Sequence, residues 1–562
     1  MPCVAISSLA FVGILGAGAH HKRTALMRLW CAGTPIVTGV IKRAANTHRK
    51  EPTMKRMNSN ESKTLDPFAM NTTCTRRGLF GALAAAAFGC LVAPGVAMAD
   101  DAGANGYGAD VMAYSVAYDG TTTPYYTTDD AISAGYQGKV IYLNVDWMFT
   151  GTMTVADGKL LTIDMNGHKI TSQGGGTVIR LYENADLTLR STAQSARTFR
   201  FEGFDANTGD PYDMDVVTGG LITGGKGDEG GAFRMDNHST LTLDNVVVAG
   251  NRGGKGGAIY AKKGCTINMK KGASIQHNVG ETGGIYVNQE DTTIWMDNSN
   301  ISYNRATKSG GAIYSDADGT RIHLFNKSVI YRNSAQVAGG GIFFNKSWFN
   351  VISEDNTGSI EGNMTTSDGE KRSCGGGIAT DTKSFSSSGE IRGINLSENH
   401  ADYHGGAIYL HHSNIKVVDC FINDNNAVMN GGGIYIDASD CSVEDCTITN
   451  NLCREEGVGG GLTALYKYDI KLSGVCVIKN NMRGNPGTVD DVFLQTRSGY
   501  TNCIDGKVEG ASHIGVRTDL EGDKRIAKNI GSFITGTFFM DTDGYEVTTS
   551  TDEGGSVYQH KA

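Results

Sequence analysis

The chain has 562 residues, 76 glycines, only 8 prolines and a formal net charge of −9. This composition is typical of a turn-rich β protein and excludes a proline-rich disordered linker. The acidic balance repels nucleic acids and anionic lipids, so we expect neither as a partner.

The first 99 residues differ from the rest of the chain. Residues 1–69 are basic and carry no repeat, and we interpret them as an over-extended start or a leader. Residues 70–99 contain, in the order of a twin-arginine signal peptide, an arginine pair, an apolar run and a small-x-small cleavage site. The residues that carry this pattern are Arg76, Arg77, Ala97 and Ala99.

This signal predicts export by the twin-arginine route and an extracellular or cell-surface location, with membrane contact only before cleavage. An uncleaved membrane anchor over residues 79–99 is the alternative, although Pro94 breaks that run. Cleavage would make the chain more acidic, because 12 of the 50 basic and 3 of the 59 acidic residues precede Asp100.

After the signal we expect three regions. Residues 100–125 form a polar leader, residues 126–500 form a repeat domain, and residues 501–562 form terminal β coils and a tail. A short helix over Thr127 to Gly135 is predicted to cover the first coil, since an uncapped solenoid exposes strand edges.

Two phrases recur with one period inside the repeat domain. Paired small residues followed by an apolar residue, and usually an aromatic, return nine times between Gly230 and Leu462, in steps of 26 to 36 residues. An aliphatic residue, two further residues and an asparagine recur in phase with them. Seven of these asparagines are Asn251, Asn278, Asn304, Asn333, Asn399, Asn425 and Asn451, and Asn363 and Asn481 extend the series.

Such a period indicates a solenoid. The apolar runs are short, alternating and β-rich, which favours strands over helices. We therefore predict an all-β chain that folds as a right-handed parallel β-helix, with three short strands per coil and a short N-terminal cap. Paired glycines would allow tight turns through positive φ, and the asparagines would stack as a hydrogen-bonded structural ladder.

The phrase Gly310-Gly311-Ala312-Ile313 and its partner Ile301-x-x-Asn304 resemble the repeats of the chlamydial polymorphic outer-membrane proteins and related bacterial surface adhesins. In that family the second phrase usually begins with Phe, whereas here it begins with Ile, Val or Leu. The resemblance spans roughly residues 220–481. It implies a β-helical passenger on a cell surface that adheres to other molecules, and it implies no enzymatic activity.

Aromatic residues follow the paired glycines at regular spacing. Alternation along a strand predicts that they point outward and form an exposed file, which would bind a glycan or protein ligand. These residues are Tyr260, Tyr286, Tyr314, Phe343, Tyr409 and Tyr435. The other interpretation of the file is an aromatic ladder that only stabilises the sheet.

The eight cysteines after the signal show no zinc-ligand spacing. Cys420, Cys446 and Cys476 are in register and are expected as a buried column of free thiols. Cys441 and Cys453 lie near turns, where a disulfide between them is the alternative to free thiols.

An enzyme is the competing hypothesis, because parallel β-helices include polysaccharide lyases and glycoside hydrolases. The catalytic phrases of galacturonases are absent, and we find no carboxylates that recur in register on one face. Histidines 400, 404, 411 and 412 form the densest histidine group, and we expect exposed turn residues there. Insertions at residues 195–215 and 364–373 leave room for a binding or catalytic loop.

The sequence analysis therefore favours a secreted or cell-surface, adhesin-like and non-enzymatic β-helix that binds host-surface or matrix glycan or protein. The alternative is a polysaccharide lyase or glycoside hydrolase acting on an extracellular polysaccharide. We expect a monomer with no metal and no cofactor.

Overall fold

The computed structural model describes residues 108 and 110–562, with gaps at 194–196, 205–210, 346–347, 368–371, 382–386, 438, 455, 466–468, 485–486, 498–499, 520, 532–535 and 552–554. The predicted leader and signal peptide, including Arg76, Arg77, Ala97 and Ala99, lie outside the described residues.

One coil shows how the repeat folds. Strand Ile259–Ala261 follows the paired glycines, Thr266–Lys270 and Ser274–Gln276 follow after turns, and the two-residue strand Val279–Gly280 completes the circuit. Each strand pairs in parallel with its equivalent in the next coil. The result is a parallel β-solenoid of about 13 coils, which confirms the predicted fold class. The two-residue strand was not foreseen.

The equivalent strands stack into four rows. The tyrosine row follows the paired glycines: Phe233–Met235, Ile259–Ala261, Ile285–Val287, Ile313–Ser315, Ile342–Phe344, Ile378–Asp381, Ile408–His411, Ile434–Asp437, Leu462–Leu465 and Val492–Leu494. The middle row comes next: Leu160–Asp164, Asp186–Arg190, Thr240–Asp244, Thr266–Lys270, Thr293–Asp297, Thr320–Phe325, Trp348–Ile352, Ser387–Arg392, Ser413–Val418, Ser442–Glu444, Ile470–Ser473 and Ile504–Asp505.

The other two rows lie on either side of the ladder asparagines. The asparagine row precedes them: Gly220–Thr223, Val246–Ala249, Ser274–Gln276, Asn300–Ser302, Val329–Tyr331, Ser359–Glu361, Asn395–Ser397, Phe421–Asn423, Thr447–Thr449, Val477–Lys479 and His513–Thr518. The short row follows them: Arg252–Gly253, Val279–Gly280, Arg305–Ala306, Ser334–Ala335, Met364–Thr365, His400–Ala401, Asn426–Ala427, Leu452–Cys453 and Met482–Arg483. Strand Thr488–Val489 ends this row by pairing antiparallel with Met482–Arg483.

The N-terminal end is covered by a small cap. Part of the predicted polar leader forms the antiparallel strands Ala113–Val116 and Thr122–Tyr125. Helix Thr128–Gly135 follows, and it begins where Thr127 Oγ1 accepts a hydrogen bond from Asp130 N at 3.1 Å. Its buried Ala131 and Ala134 face the core, so the helix seals the first coils, which open with strands Val140–Leu143, Trp147–Phe149, Met153–Val155, Lys169–Ser172 and Ile179–Leu181.

The C-terminal end is closed by antiparallel pairing. Strand Ser556–Lys561 pairs with both Lys524–Lys528 and Tyr545–Ser550, while Phe538–Met540 extends the asparagine row. A small antiparallel pair, Thr496–Arg497 with Tyr500–Thr501, projects from a turn. Antiparallel strands therefore follow the parallel stack at this end.

The inside of the solenoid is a continuous apolar core. In one coil Ile259, Ile267 and Ile275 are fully buried, and the same inward positions are apolar in every coil. Burying each such side chain contributes about 1.5–3 kcal/mol relative to exposure. Among the described residues, no helix combines the length and apolar character needed to cross a membrane.

The two glycines of the phrase serve different purposes. In eight of the nine phrases, all except the one that begins at Gly283, the first glycine has positive φ, as at Gly256 with φ +71°. The second does not need positive φ; at Gly340 a Cβ would come closer than 3.0 Å to the carbonyl oxygens of Met364 and Gly376. The prediction that both glycines serve a left-handed turn is therefore wrong for the second one, which is required by close coil-to-coil approach.

The first predicted insertion is a β-hairpin on the outside of the solenoid. Strands Thr198–Phe204 and Pro211–Thr218 pair in antiparallel fashion. Phe199, Phe201 and Val217 pack on Leu221 and Ala249, forming a second hydrophobic cluster. The hairpin is thus anchored to the asparagine row.

Candidate ligand-binding face

The nine recurring asparagines form one buried ladder. In each step, the backbone N and Nδ2 of one asparagine donate to Oδ1 of the next, at 2.9–3.1 Å from Asn278 onwards. The ladder starts where Gly225 N donates to Asn251 Oδ1 and ends where Asn481 donates to Asp491 Oδ1. Its members are at most 1% exposed, so they hold the coils together and do not touch ligands.

The aromatic residues of the tyrosine row also share one register. Tyr260, Tyr286, Tyr314 and Phe343 pair along four successive coils. Their ring centroids are 5.3–5.5 Å apart. After an interruption at Ala379, Tyr409 and Tyr435 stack at 5.6 Å.

The prediction that this file is exposed is wrong for four of its six members. Tyr260, Tyr286, Phe343 and Tyr435 are only 2–6% exposed. The rings cover one another, and two residues that precede glycine pairs add to this cover: the Lys255 ammonium is 5.5 Å from the Tyr286 ring, and His404 stacks on Tyr435. The file cannot offer open ring faces to a sugar, and replacing its rings would disturb the fold.

The tyrosine hydroxyls point to a second register column that sequence reasoning missed. The Tyr286 hydroxyl donates to Asn288 Oδ1 at 3.3 Å, and the Tyr409 hydroxyl donates to Asp437 Oδ2 at 3.2 Å. Burial raises the pKa of Tyr260 and Tyr314 to about 12, so these hydroxyls keep their protons at neutral pH.

This second column is the polar column, three residues after each inward apolar residue of the tyrosine row. Its members are Asp236, Lys262, Asn288, Asp316, Asn345, Asp381, His411 and Asp437. Four are carboxylates on one face, so the interpretation that carboxylates share no register is wrong. Superposing the repeats on the inward isoleucine would have revealed them.

The polar column is tied by side-chain contacts between coils. Asn345 Nδ2 donates to Asp316 Oδ1 at 2.9 Å, and Lys262 Nζ lies 2.7 Å from Asp236 Oδ1. Burial alone would raise the pKa of Asp236, but hydrogen bonds from Lys262 and Arg180 hold it below its ordinary value. The column therefore presents fixed charges and amides.

His411 lies between two carboxylates near one end of the column. Its Nδ1 is 3.0 Å from Asp381 Oδ1, and its Nε2 is 3.9 Å from Asp437 Oδ2. The hydrogen bond to Asp381 raises the pKa of His411, and burial raises the pKa of Asp437. This trio of carboxylate, imidazole and carboxylate is held by three successive coils.

A polar groove of about 700 Å³ opens beside the middle of the column. Asn288 and Asp316 of the column line it, together with turn residues. These are Asn237, Lys263, Gln289, Glu290, Ala317 and Asp318. Amides, carboxylates and one ammonium give the groove both hydrogen-bond donors and acceptors, which suits a polyhydroxylated or peptide ligand.

His404 does not belong to an exposed cluster. It stacks on Tyr435 at 4.2 Å and accepts a hydrogen bond from Asn430 N at 3.2 Å. Burial lowers its pKa to about 3, so the ring is neutral. The predicted exposed turn histidine is therefore a packed residue, and His411 is the histidine placed among polar partners.

The cysteines of the described chain are all buried and unpaired: Cys265, Cys374, Cys420, Cys441, Cys446, Cys453, Cys476 and Cys503. Cys420, Cys446 and Cys476 form the buried column of free thiols expected from their register. Within the described ranges, no group of three or more His, Cys, Asp or Glu side chains is placed to hold a metal ion.

Comparison with known proteins concerns the repeat itself. No curated protein matches the chain. Residues 298–316 match the family model described as the Chlamydia polymorphic membrane protein repeat. This stretch contains ladder residue Asn304 and the phrase from Gly310 to Tyr314. The match and the parallel solenoid fit a β-helix repeat protein of this type, which confirms the resemblance inferred from the sequence.

Proposed function

We propose that the chain is a cell-surface, adhesin-like β-helix that binds a host glycan or protein without chemically altering it. The observation that carries this proposal is the polymorphic-membrane-protein repeat within a parallel β-solenoid. That family's name places its members at a membrane, and the twin-arginine pattern at Arg76 and Arg77 is in keeping with export.

The polar column and its groove are the proposed ligand face. The face is rigid for two reasons. The rings of Tyr286 and Tyr314 stack on each other beneath their hydroxyl groups, and the fully buried Ile285 and Ile313 anchor the same strands in the core. A rigid surface loses little conformational entropy on binding. Ligand contact would come from Asn288, Asp316 and their neighbours, with the aromatic file as support.

A glycan-retention assay tests this proposal. Immobilised host and plant polysaccharides would retain the wild-type protein, and the double variant Asn288→Ala/Asp316→Ala would lose retention. The matched control is Thr242→Ala/Asn268→Ala, a hydrogen-bonded outward pair 3.2 Å apart on the middle row. Equal retention of both variants would show that the groove is not the ligand face. An array of immobilised matrix proteins, probed with the same variants, tests for a protein ligand.

A glycoside hydrolase is the second candidate function, and one arrangement favours it. Asp381, His411 and Asp437 form a carboxylate–imidazole–carboxylate row, and glycoside hydrolysis uses two carboxyl groups, one of which is protonated. The raised pKa of Asp437 suits the protonated partner. In this role Asp437 would donate a proton to the leaving glycosidic oxygen, while Asp381 takes a proton from the water that attacks the sugar carbon.

The release of new reducing ends from the same polysaccharides separates the two functions. Turnover that is lost in Asp437→Asn and retained in Asp236→Asn would establish the hydrolase and overturn the binding-only proposal. Retention without reducing ends supports the adhesin. Unsaturated products, measured in the same samples, would instead indicate a lyase.

A further inference from the structure

An aromatic patch lies on the outer face of the middle row, on a different sheet from the tyrosines. It comprises Trp295, His323, Phe325, Trp348 and Ile352, which belong to three successive coils. We call this set the tryptophan patch. Trp295 is 37% exposed, while its four neighbours are half-buried.

The fold does not require aromatic residues at these positions. The register column of Trp295 holds Thr188, Thr242 and Asn268 in the three preceding coils. Those coils keep the same inward apolar residues and the same strand pairing. The large apolar side chains are therefore a local property of this segment, and a localised exposed apolar patch marks an interaction site.

The patch is held in one arrangement. Trp295 stacks on His323 with centroids 4.0 Å apart, and it lies 5.8 Å from Phe325. The Arg321 guanidinium is 4.8 Å from the Trp348 ring. Behind the patch, the inward residues Ile294, Ile322 and Phe349 are fully buried, so the aromatic surface needs no rearrangement to receive a partner.

The composition favours a protein partner. Tryptophan and arginine are the residues that most often carry binding energy at the centre of protein interfaces. Trp295 and His323 each cover one face of the other, so the patch offers ring edges, one face of Trp295 and the aliphatic Ile352 side chain. This combination of ring edges and an aliphatic side chain suits apolar side chains of a protein partner.

Carboxylates outnumber cations at the border of the patch, where the cations are Lys270, Arg321 and Arg392. Asp297 follows Trp295 on the same strand, Glu354 lies 3.9 Å from His323 Nδ1, and Asp318 accepts a hydrogen bond from Trp348 N at 3.1 Å. Asp291 lies 3.8 Å from the Arg321 guanidinium. Burial lowers the pKa of His323, so the ring adds no positive charge at neutral pH. An apolar centre with an acidic border complements an apolar residue flanked by lysine or arginine.

We propose that the tryptophan patch is a docking surface for a protein partner that presents an apolar residue surrounded by basic side chains. The patch shares Asp318 with the groove beside the polar column, but Trp295 is not a groove residue, so the proposal stands whether or not the groove binds a glycan. Trp295 supplies the centre of the contact, and the surrounding carboxylates steer and orient the partner.

The test uses the full chain and a fluorescein-labelled dodecapeptide of alternating lysine and leucine. Anisotropy should show saturable binding that weakens as salt rises. Trp295→Thr, which installs the residue of an earlier coil, should weaken binding about 30-fold, as expected for a central tryptophan. Phe421→Thr is the matched control, because Phe421 is 46% exposed on the asparagine row.

The probes and a second variant separate the outcomes. A glutamate–leucine peptide of equal length should not bind, and Asp297→Asn should flatten the salt dependence while thermal melting stays unchanged. Equal affinity of Trp295→Thr and wild type would overturn the proposal. Binding of a neutral oligosaccharide that is abolished by Trp295→Thr, without peptide binding, would also overturn it and assign the patch to glycans.

Discussion

A single ladder asparagine joins three coils. Asn333 donates from N and Nδ2 to Asn363 Oδ1, and its Nδ2 also donates to the Ile301 carbonyl oxygen. Its own Oδ1 accepts from N and Nδ2 of Asn304. Each side chain thus satisfies buried groups that no water reaches, which explains why asparagine recurs where an apolar residue would fill the same volume.

Replacing Asn333 by alanine should therefore destabilise the protein strongly. The change leaves the Asn304 backbone N and the Ile301 carbonyl without these partners, and each buried unsatisfied group costs about 1–3 kcal/mol. We expect a loss of roughly 2–4 kcal/mol, measured by urea denaturation. The control is Asn423→Ala on the partly exposed outer face of the asparagine row. Equal denaturation midpoints for the two variants would show that the ladder contributes little.

A pair of carboxyl groups ends the ladder and makes stability depend on pH. Asp491 Oδ1 accepts the last ladder bonds, and Asp541 Oδ2 accepts from Asp491 N at 2.8 Å. Burial raises the pKa of Asp491 to about 6 and that of Asp541 to about 7. The neighbouring carboxylate Asp490 also raises both, although Arg517 binds it at 2.7 Å.

The sign of the pH effect follows from these shifts. Between the ordinary carboxyl pKa and the raised values, the folded state binds more protons than the unfolded chain, so the contribution of this pair to stability is largest below about pH 4 and is lost as pH rises to about 7. Hydrogen exchange of residues 513–540 should accelerate between about pH 4 and 7 beyond the intrinsic base-catalysed rate. Asp541→Asn should flatten this change, and an unchanged profile in that variant would contradict it.

At the scale of the element, the close approach of neighbouring coils requires glycine at the second position of the paired-glycine phrase. A Cβ at Gly340 would meet the carbonyl oxygens of Met364 and Gly376 closer than 3.0 Å, whereas a Cβ at Gly151 would meet nothing within 4 Å. Gly340→Ala should cost about 1–3 kcal/mol, as overpacking does. Gly151→Ala should leave the melting temperature nearly unchanged. A tolerated alanine at Gly340 would show that neighbouring coils can separate locally.

The strands were predictable because their signals are local and repeated. The inward Ile285 and the ladder Asn278 each recur with one period, so the sequence alone indicated parallel coils. The burial of Tyr286 was not predictable from alternation. Alternation along a strand predicts that a side chain points away from the core. Its exposed fraction depends, in addition, on the rings that pack against it from the next coil.

The candidate site was harder to predict than the fold for a related reason. His411 lies 31 residues from Thr380, whose Oγ1 accepts its backbone N–H, and 30 residues from Asp381. Such partners can be identified from the sequence only when the register of the coils is known. Alignment of the repeats on the inward isoleucine supplies that register, and the same alignment isolates Trp295 from the threonines of earlier coils.

At the scale of the whole molecule, each coil contacts mainly its two neighbours. Stability in such a chain is close to a sum of coil and interface contributions, so the ends open before the middle. The buried cysteines are spaced along the axis and can report this opening. Cys503 lies near the C-terminal end, whereas Cys420 and Cys446 lie within the regular coils.

Burial raises the pKa of Cys503 to about 12, and Cys446 is shifted upward as well, so native thiols should resist alkylation. In a urea series with pulsed iodoacetamide and peptide mapping, we expect Cys503 to react at lower urea than Cys420 and Cys446. The order follows because opening the terminal coils breaks one interface, while exposing Cys420 requires the loss of interfaces on both sides. Simultaneous labelling of all the buried cysteines would instead show that the solenoid unfolds as a single cooperative unit.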